Sequence, residues 1–120
     1  MTPTAALYSF FNGFGVPAYA ISAVPDKAAL PYLTYDIPLG YLDEPQSGVV
    51  NLWIKTESES EINAKATQIA DTIGRNGTVI AIDGGYIWIQ RGSPFCQALV
   101  DHEDNTIKRR YINVTVEYLR

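Results

Sequence analysis

Cys96 and His102 are the sole thiol and the sole imidazole of the chain. The one nucleophilic arrangement they allow is a thiolate–imidazole pair. Asp101, Glu103 and Asp104 crowd the same stretch with carboxylates, which raises metal binding as a second chemistry. A metal centre needs about three or four converging ligands, whereas successive residues of a turn point apart. Residues 102–105 therefore read as a solvated hairpin loop. Cys96 falls in an apolar run, where a small buried residue is expected. No glycine-rich phosphate loop is present: Gly13-Phe14-Gly15 follows a helical stretch instead of opening one, and Asp83-Gly84-Gly85 has the chemistry of a hairpin turn. The sequons at Asn76 and Asn113 carry no weight without a secretion signal. The residue types thus predict no catalytic group, no cofactor and no metal, and hence no enzyme.

Lys108-Arg109-Arg110 is the one dense basic run, and three readings of it stand. It is a solvated strand end that discourages edge-to-edge pairing. It is the charge partner of an acidic patch on a neighbouring subunit, with Asp43 and Glu44 as the candidates. Or it contacts DNA, a reading weakened because alternate strand residues face opposite ways. Separately, Tyr32, Tyr35, Trp53, Tyr86 and Trp88 are candidates to line an apolar ligand pocket, against ordinary cross-strand packing.

The elements that must position these groups are legible. Thr2 can cap a helix with Pro3 at its first position, and Leu7, Phe10, Phe11 and Phe14 share one helical stripe. Gly13, Gly15 and Pro17 end it. A short strand is predicted over 19–22, a second over 32–37 stopped by Pro38, and an exposed loop over 40–48. Residues 49–55 alternate, with Val49, Asn51, Trp53 and Lys55 on one face and Val50, Leu52 and Ile54 on the other. Ser58 and Glu61 form a capping box. Behind it Ile62, Ala66, Ile69, Ala70 and Ile73 make a stripe to lie across a sheet, and Gly74 closes the helix. Residues 79–82 and 86–91 flank the Asp83-Gly84-Gly85 turn, and Gly92-Ser93-Pro94 is expected to break the second strand. A further hairpin joins 95–101 to 108–119. In its last strand Ile112, Val114, Val116 and Tyr118 face the core, while Tyr111, Asn113, Thr115 and Glu117 face a half-wet side.

Composition bounds the rest. The chain has 120 residues, 9 basic against 13 acidic, for a net charge of −4, with 47% hydrophobic residues. That length fits a single domain over 1–120, and the apolar content is too high for a disordered chain. One cysteine excludes an intrachain disulfide, the acidic balance argues against broad nucleic-acid binding, and no sequence-specific nucleic-acid partner is expected. No run approaches the roughly 20 apolar residues of a membrane span, and the N-terminus lacks the basic start of a secretory signal. The fold class is α+β: a mostly antiparallel sheet of five to six strands flanked by two helices.

The whole pattern resembles the tail terminator, or tail completion, family of long-tailed bacteriophages and prophages. The stretches that carry the likeness are MTPTAALYSFF, VPDKAALPYLTYDIP, VVNLWIKTESESEINAKATQIADTIGRNG and IKRRYINVTVEYL. The resemblance implies a virion structural protein that associates with itself as a ring, expected to be a hexamer. Such a ring caps the tail tube, halts its growth and offers the surface that joins tail to head, so its partners are the tail-tube protein and head–neck proteins. It implies a place in the virion tail or neck, and in the host cytoplasm during assembly. A head–tail connector or minor capsid protein is the alternative within this class, and a small ligand-binding α+β module the alternative outside it.

Overall fold

A computed structural model describes residues 1–38, 44–100, 104 and 106–120, with Val100 described by its backbone alone. Helix α1 (Pro3–Phe11) opens on Thr2, whose hydroxyl oxygen accepts from the Ala5 amide at 3.2 Å. Proline at the first helical position loses no hydrogen bond, because that amide has no intrahelical partner. The predicted stripe buries Leu7, Phe11 and Phe14. Phe14 lies in a single 3-10 turn (Asn12–Phe14) that leaves through left-handed Gly15.

Strand β1 (Ala18–Ala20) follows, shorter than expected because a second 3-10 turn takes over at Ile21–Ala23. Then come β2 (Tyr32–Asp36), β3 (Gln46–Lys55), helix α2 (Glu59–Ile73), β4 (Thr78–Ile82), β5 (Gly85–Val100) and β6 (Ile107–Leu119). The six strands form one sheet in the order β1-β2-β3-β6-β5-β4. Only β1 and β2 run parallel; the other neighbours are antiparallel. The architecture is the α+β class expected, with two helices against a mostly antiparallel sheet.

Register decides which side chains share a face. Tyr35, Val50 and Ile112 line up across β2, β3 and β6, as do Leu33, Leu52 and Arg110. That face also carries Val114, Val116, Ile87 and Ile89, all buried. Both helices pack on it: α2 through Ile62, Ala66, Ile69 and Ile73, and α1 through Leu7 and Phe11. Because α1 touches both edge strands, β1 and β4, the sheet curls around it.

Three expectations need correction. Residues 46–48 belong to β3 and not to a loop, because the long alternating β6 offers Val114 to Val116 as partners. Gly92-Ser93-Pro94 does not break β5. Pairing stops at Arg91↔Val114 and resumes at Cys96↔Ile112, so residues 92–95 bulge opposite Asn113 alone. Gly92 is required there, since a Cβ would sit 2.7 Å from that of Asn113, whose amide nitrogen donates to the Pro94 carbonyl at 2.9 Å. The bulge gives proline a site where it removes no ladder bond. Finally β6, which carries the basic run, is interior and lies between β3 and β5.

Phe11 is fully buried and stacks on Tyr35 with ring centroids 4.7 Å apart. It joins α1 to the sheet. Phe11→Ala is expected to lower unfolding free energy by about 3–5 kcal/mol with an unchanged denaturant slope, read by urea titration.

Candidate functional site

Alternation along β6 separates the basic run. Arg110 turns toward the helices and is 5% exposed. A guanidinium buried that deeply must be paired and hydrogen-bonded. Its Nη2 donates to the Glu59 carboxylate and, at 2.8 Å, to Asn63 Oδ1. Its Nε reaches the same Asn63 oxygen at 3.2 Å, and Nη1 donates to the Arg109 carbonyl at 3.1 Å. Lys108, on the same face, brings its Nζ to 4.0 Å from Glu59. The bland reading of a strand end that guards a sheet edge is therefore replaced, since β6 has a neighbour on both sides.

Local sequence explains why Glu59 is there to meet Arg110. Ser58 caps α2, its hydroxyl accepting from the Ser60 amide at 3.2 Å and not from Glu61 as the capping box predicted. Glu59 then occupies the first turn, where a carboxylate also suits the positive end of the helix dipole. The hydrogen bond from Arg110 holds its carboxyl below the usual 4.5, and the charges of Arg110 and Lys108 act the same way. The other end of α2 is held similarly. Arg91 of β5 donates to the Ala70 carbonyl from Nε and Nη2, at 3.0 and 2.7 Å. Lys65 ties the middle of the helix to the Phe14 carbonyl at 2.7 Å.

Arg109 turns to the opposite face, on which neither helix packs. Its Nε donates to Asn51 Oδ1 at 2.9 Å, and its guanidinium lies 5.3 Å from the Trp53 ring centre. Trp53 neighbours Tyr32 at 5.2 Å, and Tyr32 neighbours Tyr19 at 6.1 Å. Four flat groups thus cross β6, β3, β2 and β1 in a row. Beside them Thr34 lies between Tyr19 and Asn51 in register, buried, with its hydroxyl lacking a partner among the described residues. The five aromatic residues weighed as a pocket do not converge. Tyr35 stacks on Phe11 under the helices, while Trp88 donates from its indole to the Asn76 carbonyl at 3.0 Å and Tyr86 is exposed on β5. Period-two spacing carried that signal, because Tyr32 and Tyr35 are an odd number of residues apart.

The remaining candidates divide by place. Asp43, Asp101, His102 and Glu103 lie outside the described residues, so the proposed Cys96–His102 pair does too. Glu44 is exposed just ahead of β3, at the end of the β3–β6 pair remote from Arg109. Cys96 is half-buried and burial pushes its thiol up, away from the thiolate a nucleophile needs. No set of three metal-ligand side chains comes together among the described residues. An apolar groove of roughly 590 Å³ runs between α1 and β1, with Tyr8, Tyr19, Ala20 and Tyr35 in its walls. Sequence reasoning did not find it, because it depends on how α1 crosses the sheet.

Because the folded carboxyl of Glu59 titrates below its ordinary value, the unfolded chain binds the extra proton. Its contribution is complete above 4.5 and fades as pH falls toward the folded value. Glu59→Gln should therefore be less stable than the parent chain near neutral pH. That gap should close below pH 4.5, as urea titrations across pH will show. A gap that persisted in acid would deny the pairing its role.

No protein-family model and no curated protein matches this chain.

Proposed function

We propose that this chain is a virion assembly protein of a long-tailed bacteriophage or prophage, a tail terminator that works as a ring on the end of the tail tube. The likeness of its sequence to that family prompts the reading. The observation that carries it is the one-sided sheet: both helices occupy one face, and the other presents a cation that, among the described residues, is held by the neutral groups of Asn51 and Trp53.

A closed ring needs two different patches on each subunit, related by a rotation that closes. The β3–β6 pair supplies candidates at its opposite ends. Arg109 stands beside Trp53 and Lys55 at one end, and Glu44 and Glu117 stand at the other. Arg109 and Glu117 lie on the same strand, β6, and are separated by roughly 26 Å at the usual rise of about 3.3 Å per residue. Charges of opposite sign at the two ends suit head-to-tail contact between neighbours and steer their approach. Of the basic run, Arg109 is the member suited to this role, since Arg110 is committed to Glu59 and Asn63. Catalysis has no part in this reading, which rests on shape and charge.

A ligand-binding module is the second reading, and the groove between α1 and β1 favours it. Native mass spectrometry and tube-growth assays separate the two. The purified chain should form a ring and shorten tubes grown from tail-tube protein. Arg109→Glu, which leaves the Arg110 pairing intact, should return the ring to subunits and restore long tubes. A chain that neither forms rings nor alters tube length would overturn the terminator reading. Retention by portal-side proteins in place of tube protein would move it to a connector.

A further inference from the structure

We infer that β4 is a strand-addition edge that takes the β4 strand of a second copy of this chain, antiparallel across a twofold axis. The two edges of the sheet are treated differently. At β1 the carboxamide of Asn12 acts as a substitute strand: the Ala18 amide donates to its Oδ1 at 3.1 Å, and its Nδ2 donates to the Ala18 carbonyl at 3.2 Å. The outward groups of Ala18 are thereby closed to another chain. Among the described residues no such clamp serves β4.

The hairpin fixes which β4 groups point outward. Ile82 and Gly85 flank a two-residue turn made possible by left-handed Gly84, so they exchange the first ladder bonds. Alternation then turns Thr78, Ile80 and Ile82 toward β5 and sends the amide and carbonyl of Val79 and Ala81 outward. These outward groups take no hydrogen bond from the rest of the described chain. The N-terminus meets β4 at its turn end, where Asp83 N donates to the Met1 carbonyl at 2.7 Å. Val79 is 52% exposed, and Tyr86, opposite Ala81, is equally so. Thr78-Val79-Ile80-Ala81-Ile82 contains no charge and no proline, two devices by which edges normally repel a further strand.

Charge identifies the occupant as a second copy. Arg75 precedes β4 and Asp83 follows it, both exposed. An antiparallel pair that sets Val79 against Ala81 of the second copy brings each Asp83 beside the opposite Gly77 turn, within reach of Arg75. Twofold symmetry makes that ion pair twice. Asp83 holds the Met1 amino group through Oδ1 at 2.8 Å, which leaves its second oxygen to face the guanidinium. Pairing β4 with β1 instead would face the closed Asn12 clamp. The inference does not rest on the tail reading: a ring without this contact leaves that reading intact, and a dimer that ignores tail tubes leaves this one intact.

Sedimentation of the full chain over a concentration series tests it. A reversible dimer, or an even-numbered assembly, is expected. Val79→Lys, at an exposed site, should raise the dimer dissociation constant about tenfold or more. Arg75→Glu should weaken the dimer as well, and Arg75→Glu with Asp83→Arg should restore it. Near-UV circular dichroism should show every variant folded. The Val79 and Ala81 amides should exchange more slowly as concentration rises. A chain that stays monomeric throughout, or a dimer indifferent to both Val79→Lys and Arg75→Glu, would overturn the inference.

Discussion

The guanidinium of Arg110 is the constraint around which the rest is arranged. It sits on an interior strand, beneath a helix, and is almost wholly buried. Desolvating such a charge is expensive, and hydrogen bonds to its partners must offset that cost. The helix start must therefore deliver Glu59 and Asn63 to one place. Ser58 begins the helix so that residues 59 and 63 stand a turn apart, both reaching Arg110. The same spacing sends Ile62, Ala66 and Ile69 into the core. Polar pairing and apolar burial thus specify one rotation of α2 about its axis. Apolar burial alone would tolerate some sliding of the helix; a paired guanidinium does not.

Arg91 does the equivalent at the other end, where unpaired carbonyls and the negative end of the dipole favour a cation. Its two nitrogens converge on the Ala70 carbonyl, which also accepts from Gly74 N. Two arginines, one from β6 and one from β5, therefore fix both ends of α2 on neighbouring strands. With α2 held and α1 spanning both sheet edges, one face of the sheet is fully occupied. The other face is left to what β-strand side chains can do for themselves, which is to pack across strands.

How much of this the sequence discloses follows from the range of the interactions. Periodicity and capping are local, so both helices, the β4–β5 turn and the two-faced β6 strand are legible within a few residues of their causes. The order of strands is not local. Lys108, Arg109 and Arg110 look like the solvated end of an edge because nothing in their vicinity shows that β3, more than fifty residues earlier, pairs with them. Gly92, Ser93 and Pro94 look like a break for the same reason: the Asn113 side chain that accommodates the bulge comes from the next strand. The separation of Tyr32 from Tyr35 was legible, since parity alone assigns them to opposite faces. The row from Tyr19 to Arg109 was not, because four strands contribute one member each.

Splitting the basic run also settles how its members must be treated. Charge runs on strands are commonly handled as one patch, and reversing all three cations is the natural first design. Here that design would place a carboxylate at residue 110, a position nearly closed to water, against the carboxylate of Glu59 at the exposed start of α2. Like charges in contact there would oppose folding before any surface was tested. The two faces of β6 therefore separate stability from recognition: even-numbered positions answer to the core and α2, odd-numbered ones to whatever meets the uncovered sheet. A substitution at 109 perturbs Asn51, Trp53 and the exposed face while α2 keeps its anchor, so a loss of association there can be read as recognition and not as unfolding.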